Sequence, residues 1–138
     1  MDAETIRTLL GTGQQWEKRS DGLWLEDPAL DVQNMARLMV EAGARLATIT
    51  ARPTRSAAHR LFYHWDMEGR ILTFSTLTRE EAVASISSIC PAADWIEREI
   101  HDYFAVNFTG RDGLSPLLLR PDDPPGMFHW GRKKGDER

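Results

Sequence analysis

The sequence predicts an α/β (α+β) fold in which helices pack on a β-sheet, followed by an extended C-terminal arm. Apolar residues recur at helical spacing after Asp31 and again after Asp94. Two aromatic and β-branched runs, 59–66 and 70–77, are separated by a glycine-containing turn, which is typical of a β-hairpin. Beyond Val106 four prolines interrupt the chain and favour extended backbone.

The first quarter of the chain predicts a helix and a short hairpin. Asp2 is positioned to cap the helix, and Gly11 follows where a left-handed residue commonly ends one. Ser20-Asp21-Gly22 is a turn signal, and it predicts short strands at 14–18 and 23–25.

A second helix and a strand are predicted next. Asp31 is the expected cap of the helix, and Gly43 is its expected stop. The run 46–51 is rich in Thr, Ile and Ala, and Pro53 ends it, as expected for a strand. We expect this strand to join the sheet of the 59–77 hairpin.

The segment before Pro91 is predicted to be a short helix. Thr78-Arg79-Glu80-Glu81 has the form of a capping box, and apolar residues follow near one helical face. Cys90 has no basic neighbour in sequence, so we expect a buried, unreactive thiol.

The clearest helix of the second half is expected to be capped by Asp94. Its apolar stripe has helical spacing and comprises Ile96, Ile100, Tyr103 and Phe104. We expect Trp95 and Phe104 to be largely buried. We also expect the helix to continue past Ala105, because Gly110 offers a later stop.

Composition narrows the functional classes. The 138 residues are in the usual size range of a single domain, and the net charge of −4 gives no reason to expect nucleic-acid binding. The basic run Arg132-Lys133-Lys134 is the exception, and it is expected to be solvated.

Apolar runs are too short to span a bilayer, and acidic residues near Met1 do not suit a signal peptide, so a cytoplasmic location is expected. Cys90, the single cysteine, cannot supply an iron–sulfur cluster or structural zinc.

One group of residues has the side-chain types of a metal-binding or acid–base site. Glu97 and His101 are four residues apart on the predicted helix, with Asp102 beside them. A zinc-protease helix needs two histidines at this spacing, and no second histidine lies nearby. We favour a solvated face of charge pairs, although a stand-alone metal-dependent enzyme using these three residues is the alternative.

The segment 92–104 resembles a family signature. It reads Ala-Ala-Asp-Trp-Ile-Glu-Arg-Glu-Ile-His-Asp-Tyr-Phe and is similar to the Ala-x-Trp-x-Glu-Arg-Glu-x-x-Asp-x-Phe pattern of the 30 kDa subunit of respiratory complex I NADH:quinone dehydrogenases. Within this segment, the tripeptide Ile100-His101-Asp102 is more similar to the corresponding residues of the related membrane-bound, energy-converting (group 4) hydrogenases than to those of the respiratory enzymes. In the arm, Gly110, the leucines at 117–119 and Pro121-Asp122-Asp123 extend the resemblance.

The resemblance implies a two-layer domain with a mixed sheet, spanning 1–138, with an arm and tail at 107–138. It implies a non-catalytic accessory subunit without a cofactor or metal. Such a subunit would dock on a large hydrogenase-like subunit and an iron–sulfur subunit at the cytoplasmic face of a membrane, without entering it. The expected partner-binding residues are Trp95, Glu97, Arg98, Glu99, Asp102, Phe104, Arg111 and Arg120. Anchoring within the chain is a second role that we expect for the charged ones.

The sequence departs from the family pattern in three places. Ala105 occupies the place of a glycine, and Arg111-Asp112 replaces His-Pro. Of the closing Pro-Leu-Arg-Lys-Asp, only Arg132-Lys133 corresponds. These changes lie mostly in the arm, so a free-standing binding module derived from the family is a further alternative.

Overall fold

The computed structural model describes residues 1–129, so the basic run at 132–134 lies outside the described residues. One layer is a five-stranded sheet with the strand order β1-β2-β5-β4-β3. The elements in chain order are α1 (Ala3–Leu10), β1 (Glu17–Arg19), β2 (Gly22–Glu26), α2 (Val32–Glu41), β3 (Arg45–Pro53), β4 (His59–Met67), β5 (Arg70–Leu77), β6 (Ala82–Ala84), α3 (Ala93–Phe104), β7 (Asn107–Thr109) and a 3-10 turn (Met127–His129).

The sheet is mixed, as predicted. β1 pairs with β2, β3 with β4, and β4 with β5, all antiparallel, whereas β2 and β5 run parallel. The parallel pair arises because α2 and the β3–β4 hairpin intervene between the two strands, and parallel neighbours need such a crossover. β6 and β7 form a separate parallel pair.

The three α-helices of the described residues pack on one face of the sheet. The indole nitrogen of Trp65 on β4 lies 3.1 Å from the sulfur of Met35 on α2, and Ile6 of α1 is completely buried in the same core. The ring of His59 on β4 packs against the ring of Phe104 on α3, with 5.5 Å between the ring centroids. Side chains alternate along a strand, so the other set of side chains lies on the opposite face, where residues 1–129 place no helix. The two-layer arrangement is therefore confirmed.

Several local predictions are confirmed. The Asp2 carboxylate accepts a hydrogen bond from the Thr5 N–H at 2.8 Å, and Gly11 is left-handed at φ 69°. Asp31 caps α2 through Asn34 N–H at 3.0 Å. The hairpin of β4 and β5 and its pairing with β3 also form as expected.

The helix predicted between residue 78 and Pro91 is wrong. Thr78 does not cap a helix, because its hydroxyl accepts a hydrogen bond from the backbone of His59 at 2.9 Å. Ala82–Ala84 forms β6, which pairs with β7 across more than twenty residues. Glu80 and Glu81 have φ values of 50° and 62°, which do not fit a right-handed helix. Cys90 is buried, as expected, and burial raises the pKa of its thiol.

Three expectations about α3 also fail. Ala92, not Asp94, is the N-cap, and no side chain caps this end. Trp95 is 67% exposed, and Phe104 is only partly buried. Ala105 ends the helix in the left-handed conformation at φ 58°, so the chain leaves α3 at the position where the family has a glycine.

Candidate functional site on the third helix and the arm

The signature helix α3 carries a carboxylate that is completely enclosed by the chain. Glu97 is 0% exposed, and its Oε1 accepts a hydrogen bond from the Ser85 hydroxyl at 2.5 Å. Its Oε2 accepts from the Ile86 backbone N–H at 2.9 Å. Burial raises the pKa of the Glu97 carboxyl, while the hydrogen bonds it accepts act in the opposite direction. The expectation of a solvated carboxylate is therefore wrong for Glu97. Through these two hydrogen bonds, Glu97 connects the segment after β6 to α3.

Arg111 completes this cluster from the arm. Its Nη1 donates to Glu97 Oε1 at 3.2 Å and to the backbone oxygen of Asp94 at 3.3 Å, and its Nη2 pairs with the Asp94 carboxylate. The Arg111 side chain is 9% exposed. A planar guanidinium suits two carboxylates at once, so Arg111 fastens the beginning of the arm to the first turn of α3.

Asp102 holds the next part of the arm. It is 1% exposed, and its Oδ2 accepts from the backbone nitrogens of Leu117, Leu118 and Leu119 at 2.9, 2.7 and 3.3 Å. Three N–H donors that converge on one carboxylate offset the free-energy cost of removing it from water. The backbone oxygen of Asp102 also accepts from Gly126 N–H at 2.8 Å.

Two further α3 residues bind the arm or the chain that leads to it. Arg98 donates to the backbone oxygens of Ser115 and Pro116 at 3.2 and 3.3 Å. The Nδ1 of His101 lies 2.9 Å from the backbone oxygen of Val106 and, because a carbonyl only accepts, this nitrogen carries the proton. Four polar side chains of α3 thus anchor the chain internally, namely Glu97, Arg98, His101 and Asp102.

The residues left exposed around these anchors form a patch, which we call the α3–arm surface and define as Trp95, Glu99, Leu118 and Arg120. Trp95 and Leu118 are 67% and 56% exposed, and Glu99 is also exposed. The Arg120 side chain is 86% exposed and lies 3.6 Å from Asp123. Positions 95, 98 and 102 share one helix face, so Trp95 lies on the side that receives the arm.

Aromatic contacts join α3 to the 3-10 turn. Phe128 stacks on Tyr103 at 4.5 Å between ring centroids and meets Phe104 edge-on at 5.2 Å. Phe104 reaches the sheet through His59. Phe104 therefore lies between the turn and the sheet.

The eight predicted site residues divide into groups. Glu97, Arg98, Asp102 and Arg111 form intramolecular anchors, Phe104 packs between the turn and the sheet, and Trp95, Glu99 and Arg120 remain accessible at the surface. Sequence reasoning missed Ser85, Ile86 and the exposed Leu118. One signal was present for Glu97, because it has the same helical phase as the buried residues Ala93 and Ile100.

The three residues of the alternative metal site are each engaged within the chain. Glu97, His101 and Asp102 have separate hydrogen-bond partners. Within residues 1–129, no group of three His, Cys, Asp or Glu residues is placed to hold a metal ion. In the same part of the chain, no helix has the length and apolar character needed to cross a bilayer.

Comparison with known proteins matches residues 27–129 to the family model described as the 30 kDa subunit of respiratory-chain NADH dehydrogenase. An NADH-quinone oxidoreductase subunit from Jannaschia is 32% identical over 122 residues, covering 74% of this chain and 59% of that protein. The corresponding subunit from Cereibacter sphaeroides is 38% identical over 78 residues, covering 53% and 39%. This chain thus spans about four- to six-tenths of these relatives.

Two solved structures share the fold. A trypsin-resistant fragment of Nqo5 has a TM-score of 0.63 and 19% identity, covering 80% of this chain and 96% of the fragment. A chain of an archaeal membrane-bound sulfane sulfur reductase, described as a respiratory membrane complex, has a TM-score of 0.70 and 23% identity, covering 95% and 82%. The match to the family model over residues 27–129, more than half of the chain, shows that the chain belongs to the family of the 30 kDa subunit of respiratory-chain NADH dehydrogenase.

Proposed function

We propose that this chain is a non-catalytic accessory subunit of a membrane-associated respiratory complex of the NADH–quinone oxidoreductase type. The relatives that it matches are named as subunits of such enzymes. The partners we propose are a large hydrogenase-like subunit and an iron–sulfur subunit. The chain would sit on the cytoplasmic face of the membrane and reach it only through these partners.

The observation that carries the proposal is the separation of roles on α3. The buried charged residues of the signature hold the arm, while Trp95 on the helix and Leu118 on the arm remain exposed. Tryptophan is largely buried in most proteins, so an exposed tryptophan is unusual. Tryptophan is also among the residue types most enriched at the hot spots of protein–protein interfaces. We therefore propose the α3–arm surface as the docking surface for the large subunit.

Charge supports the same surface. Glu99 follows Trp95 by one helical turn and Arg120 follows Leu118 by two residues, and both are exposed, as polar residues are at the rim of an interface. Rim charges set orientation and association rate more than affinity, so the apolar pair should supply most of the binding energy.

Isolation of the tagged full-length chain from host membranes under mild detergent tests the proposal. The expected result is co-purification, at equal stoichiometry, of one hydrogenase-like subunit and one iron–sulfur subunit, identified by peptide mass spectrometry. Recovery of the chain without either subunit would contradict it and would favour the free-standing binding module.

Matched variants locate the surface. Trp95→Ala with Leu118→Ser should abolish co-purification, whereas Leu9→Ser, which changes a 53% exposed leucine on α1, should leave it intact. Equal loss or equal retention in both variants would place docking elsewhere.

A further inference from the structure

The face of the sheet opposite the helices carries an arginine-rich cleft of about 370 Å³. Trp24 of β2 and Phe62 of β4 line it, and the centroids of their rings lie 5.9 Å apart in an edge-on arrangement. Arg19, Arg52 and Arg60 line it, together with the carboxylates of Glu17 and Glu26. This cleft lies on the face away from α3, so its role is separate from the docking surface proposed above.

Aromatic rings hold two of the guanidinium groups in place. The Cζ atom of Arg19 lies 4.3 Å from the Trp24 ring centroid, and that of Arg52 lies 5.4 Å from the Phe62 centroid. Stacking of this kind orients the planar guanidinium and restricts its motion. The donors of Arg19 and Arg52 are therefore partly preorganised around the cleft.

The charges in the cleft are not balanced. Arg52 and Arg60 are direct cross-strand partners on β3 and β4, and like charges in this position destabilise a sheet. Arg60 is compensated by Glu26, and Arg19 pairs with Glu17 at 3.0 Å. Among residues 1–129, no carboxylate lies within salt-bridge distance of Arg52. One positive charge thus remains at the position where two guanidinium groups face the same space.

A buried hydroxyl adds a polar group to this position. Ser75 is 2% exposed, and its Oγ lies 3.3 Å from the Nη1 of Arg60. Gln14 and Gln15 also line the cleft and can donate further hydrogen bonds.

We propose that this cleft binds a small oxyanion, a carboxylate or a phosphate group, between Arg52 and Arg60. Such a group would supply the missing negative charge, and a guanidinium can bind either oxyanion through two parallel hydrogen bonds. The size of the cleft is that of a small organic molecule and not of a macromolecular surface.

The test is an NMR titration of the full-length protein with inorganic phosphate and, separately, with citrate. Ionic strength is held constant with chloride, so that general screening does not change. We expect saturable shifts of the Trp24 indole N–H and of the arginine Nε–H signals. The anion that binds more tightly identifies the ligand as a phosphate or as a carboxylate compound.

Arg52→Gln should weaken binding by about tenfold, because it removes one charge-assisted contact. Arg45→Gln is the control, since Arg45 lies on the same strand but pairs with Asp66 at 3.2 Å and does not line the cleft. An unchanged Trp65 indole signal would show that both variants are folded. Shifts that do not saturate, or equal weakening in both variants, would overturn the proposal.

Discussion

The Asp102 carboxylate lies 2.7 Å from the backbone nitrogen of Leu118, so a buried side chain of α3 determines where an exposed leucine of the arm is presented. Neighbouring nitrogens bind the same oxygen, and Arg98 holds the two residues before them. The α3–arm surface is thus assembled by the charged part of the signature, and each of its anchors can be tested separately.

Removal of the Asp102 anchor should release the arm. In Asp102→Ala three N–H groups lose their acceptor, and we expect a loss of about 1–3 kcal/mol in the free energy of unfolding. Amide exchange at 117–119 should become faster. Hydrogen-exchange mass spectrometry measures this directly, with unchanged exchange in β4 as the internal control. Unchanged exchange at 117–119 would show that other contacts hold the arm.

Truncation of Glu97 should be more costly. Glu97→Ala leaves the Ser85 hydroxyl and the Ile86 N–H without their acceptor and removes one partner of Arg111, so we expect a loss of about 3–5 kcal/mol. Urea unfolding measures it. Glu99→Ala is the matched control, because Glu99 is not buried, and its effect should be within about 0.5 kcal/mol. A small loss for both variants would contradict the structural role of Glu97.

The contribution of Glu97 should also depend on pH. Burial raises the pKa of its carboxyl, so the folded state binds the proton more tightly than the unfolded state. This contribution is complete below the unfolded pKa of about 4.3 and is lost as pH rises through the folded pKa. The stability of the wild type minus that of Glu97→Gln should therefore fall as pH increases. A difference that rises with pH would mean that the hydrogen bonds from Arg111 and the backbone outweigh burial.

Ala105→Gly should stabilise the protein. Ala105 has φ 58°, a left-handed conformation that costs a residue with a Cβ about 1–2 kcal/mol, and glycine adopts it without that strain. After allowance for the greater freedom of glycine in the unfolded chain, we expect a gain of about 0.5–1 kcal/mol in thermal or urea unfolding. The opposite type of substitution at a neighbouring position, Gly126→Ala, should destabilise the folded protein. Gly126 has φ 88°, and a Cβ added there would lie 3.1 Å from the Ala105 Cβ. Destabilisation by Ala105→Gly would contradict the strain.

Trp95→Ala should change the stability of the isolated chain by less than about 1 kcal/mol, because Trp95 is largely exposed. Trp65→Ala, a substitution of a completely buried tryptophan on β4, should cost about 3–5 kcal/mol and is the matched control. Urea unfolding of both variants measures the difference. Comparable losses in the two variants would indicate that Trp95 belongs to the core.

Local sequence signals predicted those parts of the fold that are determined locally. Asp2 and Asp31 cap their helices through residues three positions away, and the hairpin of β4 and β5 was identified by two aromatic and β-branched runs with a glycine-containing turn between them. The error at Ala82–Ala84 arose because Thr78 fits a capping box but bonds to His59, nineteen residues earlier in the chain. Pairing of β6 with β7 is also non-local, and no periodicity reveals it.

The site was predictable in composition but not in geometry. The signature located α3 and its charged residues. It did not show that Glu97 is buried, because a carboxylate is buried only when donors such as Ser85 and Arg111 arrive from distant segments. Trp95 illustrates the opposite error, since a large aromatic residue is ordinarily assigned to the core.

Photo-crosslinking in intact host membranes tests the docking surface most directly. With a photoreactive residue at position 95, we predict a single major crosslink to the large hydrogenase-like subunit. The same residue at position 9, another exposed apolar site on α1, should give no such product. Absence of a crosslink from position 95, or the same crosslink from both positions, would contradict the assignment of the α3–arm surface as the site of docking.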